Sequence, residues 1–326
     1  MDALDRRLLD LIERRPRSTY RSLADGLGTS VATVQRRAEG LMTSGRLGRI
    51  RGRLSLRALG CTTVMIHGPA QGKLTPEIID GLGDHGSIRS LSLGMYGRIC
   101  CLAYVRRPEE VNGLMTFLRE RVGLTDARSL IVRREVSLRS GFEEDLPHDG
   151  APIELRGMDL RIIRSLYSDG RKSIAAISKE TGISAKAVKR RLEEMTERGI
   201  LEFETDLRLA REGDIPFSLL VEFGTCTCRD DCLRRLAGDG STVLGEAFLF
   251  QDVPELVLIE GSAPTLSALT GLTASLLRQD EIVQVRPDVI TAFRAFDTWV
   301  DVISRGEGAL PDREAARHPG SGPRDL

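Results

Sequence analysis

Apolar residues recur at helical spacing at Leu4, Leu8, Leu11 and Ile12, and again at Leu160, Ile163 and Leu166. This stripe predicts an amphipathic helix at the start of each half of the chain. Each stripe stops at a breaker, Arg15-Pro16-Arg17 in the first half and Ser168-Asp169-Gly170 in the second. A second helix is expected over residues 20–26 and 174–181, followed by a tight turn at Gly28 and Gly182, where a residue without Cβ takes positive φ freely. Ser30 and Ser184 suit the N-cap of a third helix, whose buried stripe is Val34, Ala38 and Leu41 in the first half and Val188, Leu192 and Met195 in the second. Helix, helix, glycine turn, helix is the helix-turn-helix layout, and the chain spells it twice.

After each helical stretch the period changes. Strands are expected at 61–68, 88–93, 99–105 and 129–136, with helices at 75–82 and 108–121 between them. The second half repeats the order with strands at 218–223, 242–249, 256–261 and 283–290 and helices at 229–237 and 265–278. The order βαββαβ predicts a four-stranded antiparallel sheet with both helices on one face, the ferredoxin-like arrangement.

A shift of 154 residues lays Asp5 over Asp159, Arg17 over Arg171, Gly28 over Gly182, Arg36-Arg37 over Arg190-Arg191 and Gly45 over Gly199 without a gap. Continued further, it lays residues 62–68 over 216–222 and 99–105 over 253–259. The expectation is a duplicated unit of helix-turn-helix plus sheet, with an internal repeat as the organising feature.

Composition places the chain among globular proteins, with 41% hydrophobic and 29% charged residues. Aromatics, at 4%, are too few for a stacking platform for single-stranded nucleic acid. The chain is neutral, with 47 basic and 47 acidic residues, but the charge is unevenly placed. Residues 1–57 hold thirteen arginines against six carboxylates, and residues 155–203 eleven basic against seven acidic residues. Two basic modules on an acidic remainder point to polyanion binding confined to those modules. The charged amino terminus lacks the apolar run of a secretory signal, and no apolar stretch is long enough to span a membrane, so a cytoplasmic location without membrane association is expected. The six cysteines are then read as reduced thiols or ligands.

The exposed N-terminal turns of the third helices would meet base edges in the major groove. The candidate DNA-contacting residues are Ser30, Ala32, Thr33, Gln35, Arg36 and Arg37, and Ser184, Lys186, Lys189, Arg190 and Arg191. Arginine and glutamine suit guanine and adenine edges. Arg37 and Arg191 sit one residue before the buried stripe, where pairing with a carboxylate is the competing role. Three thiols, Cys226, Cys228 and Cys232, fall within seven residues at a strand-to-helix junction, a candidate metal or redox site that lacks an obvious fourth ligand. Cys61, Cys100 and Cys101 read as packing residues.

Residues 4–47, with their opening Leu-Asp, the arginine before the second helix and Ser-x-x-Thr-Val-x-x-Arg, resemble the DNA-binding domain of Lrp/AsnC-type transcription regulators. The βαββαβ segment that follows looks like that family's sensing and oligomerisation domain. The resemblance implies an α+β protein in which two winged-type helix-turn-helix domains (1–57 and 157–210) alternate with two ferredoxin-like sensing domains (58–139 and 211–303), with a linker at 140–156 and a disordered tail at 304–326. It also implies a sequence-specific regulator of double-stranded DNA. The sensing domains would pair as an intramolecular pseudo-dimer, open to further homo-oligomerisation. In the family, the hairpin corresponding to Gly94-Met95-Tyr96-Gly97 reads Gly-x-Tyr-Asp and borders the effector pocket. Gly94, Tyr96 and Gly97 are therefore candidates for an amino-acid-like effector, although Gly97 stands where the family has Asp. Sirohaem decarboxylases share the fused architecture and are the alternative. The four histidines, His67, His85, His148 and His318, form no cluster like theirs and are expected to be exposed. The reading is therefore of a chain that is not an enzyme and needs no cofactor.

Overall fold

The computed structural model describes residues 2–138, 155–207, 213–224, 229–236 and 243–308. The first module has α1 (Ala3–Arg14), α2 (Tyr20–Leu27) and α3 (Val31–Thr43), then strand β1 (Leu47–Leu54) and the short α4 (Leu56–Leu59). Leu8, Leu9, Ile12, Leu23, Leu27, Val34, Ala38 and Leu41 close its core. The turn residue Gly28 has φ of 64°, and the Ser30 hydroxyl accepts from the Thr33 amide at 3.1 Å, as an N-cap does.

The sheet region of the first half comprises β2 (Thr62–Pro69), α5 (Pro76–Asp80), β3 (Ile88–Gly94), β4 (Arg98–Val105), α6 (Glu110–Val122) and β5 (Arg128–Ser137). The second half supplies α7 (Gly157–Ser168), α8 (Ile174–Thr181), α9 (Ala185–Glu197) and β6 (Leu201–Leu207). It continues with β7 (Ile215–Phe223), α10 (Arg229–Leu236), β8 (Val243–Phe250), β9 (Leu256–Ala263), α11 (Leu266–Leu277) and β10 (Ile282–Ala295). A last helix, α12 (Trp299–Arg305), follows.

Each βαββαβ stretch forms an antiparallel quartet, β3-β4-β2-β5 and β8-β9-β7-β10, with the ferredoxin-like strand order. The quartets do not stay separate. β5 pairs with β8 and β10 with β3, so eight strands close into one barrel. Val64, Ile66, Cys101 and Ala103 face α5 and α6, and Phe217, Leu219, Val221 and Val257 face α10 and α11. Met65, Leu102, Leu130, Phe248 and Leu258 point inward and make an apolar belt inside the barrel.

The ungapped shift of 154 residues fails at the first strand of each quartet. It lays Val64 over Ser218, yet Val64 faces the helices and Ser218 faces a cavity inside the barrel. A one-residue offset between the modules and these strands accounts for this, because successive residues of a strand point to opposite faces.

β1 and β6 pair with each other as a separate two-stranded sheet, so the two helical modules share one wing sheet. Their contact is reciprocal. The Arg17 guanidinium donates to the carbonyls of Gly170 and Lys172, and that of Arg171 to the carbonyl of Ser18 at 2.6 Å while lying over the Tyr20 ring. The Gly170 amide donates to the Ile50 carbonyl at 2.7 Å, and a Cβ at Gly170 would sit 2.9 Å from that oxygen, so this approach requires glycine. α12 ties both regions together. The Trp299 indole donates to the Tyr104 carbonyl of the barrel, Tyr167 of α7 donates to Asp301, and the Leu54 amide donates to Ser304. The tail expected from residue 304 is therefore corrected at its start, since α12 runs to Arg305 and is capped by Gly306; residues 309–326 lie outside the described residues.

Arg191 is 1% exposed and pairs with the fully buried Asp159 at 2.6 Å and with Glu194 at 2.5 Å. The corresponding Arg37 pairs with Asp2 and Asp5 at the surface. Removing one partner of a buried pair strands the other charge, whereas water compensates at the surface. Asp159→Asn is expected to lower unfolding free energy by about 3–5 kcal/mol and Asp5→Asn by about 1 kcal/mol or less. Denaturant unfolding of both variants checks this, and equal losses would contradict the assignment.

Candidate nucleic-acid interface and barrel cavities

In α3, the positions outside the buried stripe fan out over the N-terminal turns. Ala32, Gln35 and Arg36 are exposed, Thr33 is half-buried, and Gln35 donates to Glu39 at 3.1 Å. In α9, Lys186, Lys189 and Arg190 are exposed, and Lys189 lies 3.9 Å from Glu193. Arg36 and Arg190 have no ion-pair or hydrogen-bond partner among the described residues. Ser30 and Ser184 serve as caps, and Thr33 shares a 2.9 Å hydroxyl contact with Ser30. Arg37 and Arg191 are taken up by their carboxylates. The buried Arg191 is not presented on the helix surface at all, so the role that competed with base contact is the one that the structure shows.

The hairpin candidates Gly94 and Tyr96 line a cavity of about 220 Å³ at one end of the barrel, with Gly97 next to them in the turn at φ 71°. A Cβ on Gly94 would collide with the Asp288 carboxylate, which accepts from the Met95 amide at 3.1 Å and so pins this hairpin to β10. Burial raises the Asp288 carboxyl above its ordinary pKa. The cavity also holds His67, Arg98 and Arg286, which sequence reasoning missed. Burial, and then the cations Arg98, Arg128 and Arg286, push the His67 imidazole down to about 4, and its Nε2 is buried without a hydrogen-bond partner among the described residues. The expectation that the histidines are exposed is thus corrected for His67, and for His85, which packs 4.9 Å from the Phe117 ring. His148 and His318 lie outside the described residues. Alternation along β2 was the available signal for His67, because it shares the inward face with Met65.

At the other end of the barrel, beneath the shared wing sheet, lies a cavity of about 900 Å³ lined mainly by carboxylates, arginines and aromatic rings. Of the cysteine triad, Cys226 and Cys228 lie outside the described residues. Cys232 is buried against Leu233 and Leu276, with its thiol 3.1 Å from the Gln279 amide oxygen. Cys101 is in the core, whereas Cys100 lines the smaller cavity, where burial raises its thiol well above the ordinary pKa.

Two family models match the helical modules: the AsnC-type helix-turn-helix domain over residues 1–42 and a winged helix-turn-helix DNA-binding model over residues 155–202. An uncharacterised HTH-type transcriptional regulator of Pyrococcus horikoshii is 34% identical over 79 residues, which is 24% of this chain and 53% of that protein. The chain thus spans about half the length of this curated relative. Among solved structures, the siroheme decarboxylase NirDL superposes with a TM-score of 0.63 over 93% of this chain and 96% of its own, at 13% identity. The same enzyme in complex with an iron-uroporphyrin III analogue gives 0.62 over 92% and 96%, at 14% identity. At that identity the likeness is one of fold alone. It nevertheless overturns the expectation that a chain of this architecture is not an enzyme, since nearly its whole length follows a fold on which an enzyme is built. By the family matches, residues 1–42 form an AsnC-type helix-turn-helix domain and residues 155–202 a winged helix-turn-helix domain of the DNA-binding kind.

Proposed function

We propose that the chain is a sequence-specific, double-stranded DNA-binding transcription regulator of Lrp/AsnC type. In this reading its two barrel halves act as an intramolecular pseudo-dimer that presents two different recognition helices. The observation that carries it is the pair of helix-turn-helix modules whose recognition helices leave Arg36 and Arg190 unpartnered on exposed turns while the rest of each module is locked in place. The shared wing sheet and the Arg17 and Arg171 contacts support a fixed separation between the helices. A site of two unlike halves, spaced by about one helical turn (~34 Å) or a multiple of it, follows from that geometry.

The cavity beside Gly94 and Tyr96 is the place for a small effector. Its guanidiniums favour a carboxylate-bearing molecule, and its volume suits an amino-acid-sized ligand. A second reading rests on the fold shared with siroheme decarboxylase and on His67, Arg98 and Arg286 meeting in that cavity: chemistry on a tetrapyrrole carboxylate. About 220 Å³ admits one carboxylate arm rather than a macrocycle, since pockets that enclose drug-sized ligands run to roughly 300–1,000 Å³. The regulator reading therefore comes first.

Arg36→Ala and Arg190→Ala are each expected to weaken binding to the preferred duplex by about 1–3 kcal/mol, with little change on a scrambled duplex. Mobility shifts on both duplexes measure this, and equal losses would reduce the arginines to phosphate contacts. Duplex affinity of the full chain is expected to fall steeply with salt. Sirohaem turnover is assayed anaerobically on the same preparation, and turnover without duplex binding at low salt would replace the first reading with the second.

A further inference from the structure

Between α1, the second half of α3 and the turn into β1 lies an open concavity of about 310 Å³. Three guanidiniums line it, those of Arg36, Arg37 and Arg46, against the one carboxylate of Asp5. Arg37 and Asp5 answer each other at 2.8 Å. Arg36 is exposed and Arg46 half-buried, and neither has an ion-pair or hydrogen-bond partner among the described residues. One terminal nitrogen of Arg46, Nη1, is enclosed by protein and still finds no acceptor among them. An enclosed donor left unpaired is costly, and more so when the group is charged.

The second module shows how such a concavity is otherwise filled. The shift of 154 residues that relates the modules lays Gly40 over Glu194, Arg37 over Arg191, Ser44 over Arg198 and Arg46 over Ile200. There the Glu194 carboxylate pairs with Arg191 at 2.5 Å and lies 3.6 Å from Arg198, and Ile200 is buried in the core. The second module thus carries its own anion among its arginines. In the first module the same helix position is Gly40, where a Cβ would meet only open space. The guanidiniums are present there, and the internal carboxylate that would sit among them is replaced by a gap.

The chemistry of the gap and its place select the anion. Guanidinium forks match the oxygens of phosphate and carboxylate groups. The concavity shares Arg36 with the exposed face of α3, so a duplex engaged by that face brings its backbone to it. Contacts of this kind fix the register of a protein on a duplex and carry no sequence information themselves.

We propose that Arg46, across the gap at Gly40, forms a niche for a phosphate group, filled by one backbone phosphate of the duplex at the first module alone. Arg36 keeps the base-reading role and Arg46 supplies the phosphate contact. The two modules then grip their half-sites unequally, because Glu194 closes the corresponding place in the second. That the phosphate belongs to a duplex rests on the regulator reading; the niche itself does not.

Salt dependence of duplex affinity, measured on the full chain, is the experiment, with the wild type, Arg46→Ala, Gly40→Gln and Arg198→Ala. Gly40→Gln fills the gap without adding charge, and it replaces a helical glycine that has open space at its Cβ, so it is expected to melt no lower than wild type. Arg198→Ala removes the same charge from the second module, beside Glu194. Arg46→Ala and Gly40→Gln are each expected to weaken the preferred and the scrambled duplex by the same factor, about tenfold, and to reduce the slope of log affinity against log salt by about one. Arg198→Ala is expected to leave affinity and slope unchanged. An unchanged slope in Arg46→Ala or Gly40→Gln, a loss confined to the preferred duplex, or an equal fall in slope in Arg198→Ala would overturn the niche and leave the regulator reading standing. If the wild type binds no duplex at low salt, the regulator reading fails, and melting in inorganic phosphate against chloride at matched ionic strength decides the niche. A saturable rise for the wild type that Arg46→Ala and Gly40→Gln lack would assign the niche to free phosphate, and the absence of any rise would overturn it.

Discussion

The architecture depends on what becomes of open sheet edges. A ferredoxin-like quartet has two, each a row of backbone donors and acceptors that is costly to leave unpaired and prone to promiscuous association. Here the outer strands of one quartet pair with the outer strands of the other, β5 with β8 and β3 with β10, and no edge remains. The wings solve the same problem on a smaller scale. β1 and β6 would each be a lone strand, and they become a sheet only through each other. Neither half completes its hydrogen bonding without the other, which is why a chain with two similar halves behaves as one frame.

Within that frame the halves diverge where they meet different surroundings. The arginine before the buried stripe is sealed beneath the second module by Asp159, whereas in the first it sits half-exposed between Asp2 and Asp5. The difference has a neighbour. α12 packs Trp299, Val300 and Ile303 into the core that contains α7 and α9, and among the described residues no such helix packs into the core of the first module. The second module is thus held by the barrel's C-terminal extension as well as by the wing. The first depends on the wing, the Arg17 and Arg171 contacts, and the Glu13–Ser137 contact.

Local pattern made most elements legible: helix stripes, glycine turns, serine caps and strand periods fall close to where the structure has them, because each is set within a few residues. The features that escaped reading are non-local. Wing pairing joins residues about 150 apart in sequence, such as Arg53 with Glu202. The barrel interior hides its chemistry in strand alternation, so that His67 reads as an ordinary solvent-facing position until closure turns that face inward. The one-residue slip between β2 and β7 was invisible for the opposite reason, since both strands are rich enough in apolar residues that either register looks satisfactory. α12 did leave a trace: Thr298 and Asp301 have the spacing of a capping box, followed by an apolar pair.

Closure also gives the barrel two ends of different character. Eight strands leave an interior just wide enough for side chains, and the belt of Met65, Leu102, Leu130, Phe248 and Leu258 fills its middle. On one side of that belt, Arg98 and Arg286 surround a neutral His67, an environment that favours anions. On the other, carboxylates and guanidiniums are interleaved, as in the pairing of Arg53 and Arg89 with Glu204. The apolar plug keeps the two polar ends apart. The strands nevertheless run through both. β3 brings Ser92 and Gly94 to one end and Arg89 and Ser90 to the other, and β10 brings Arg286 and Asp288 to the first and Phe293 and Arg294 to the second. Any shift of these two strands, which are also the seam between the halves, moves groups at both ends together, so a change at the hairpin end can reach the wings without a separate relay.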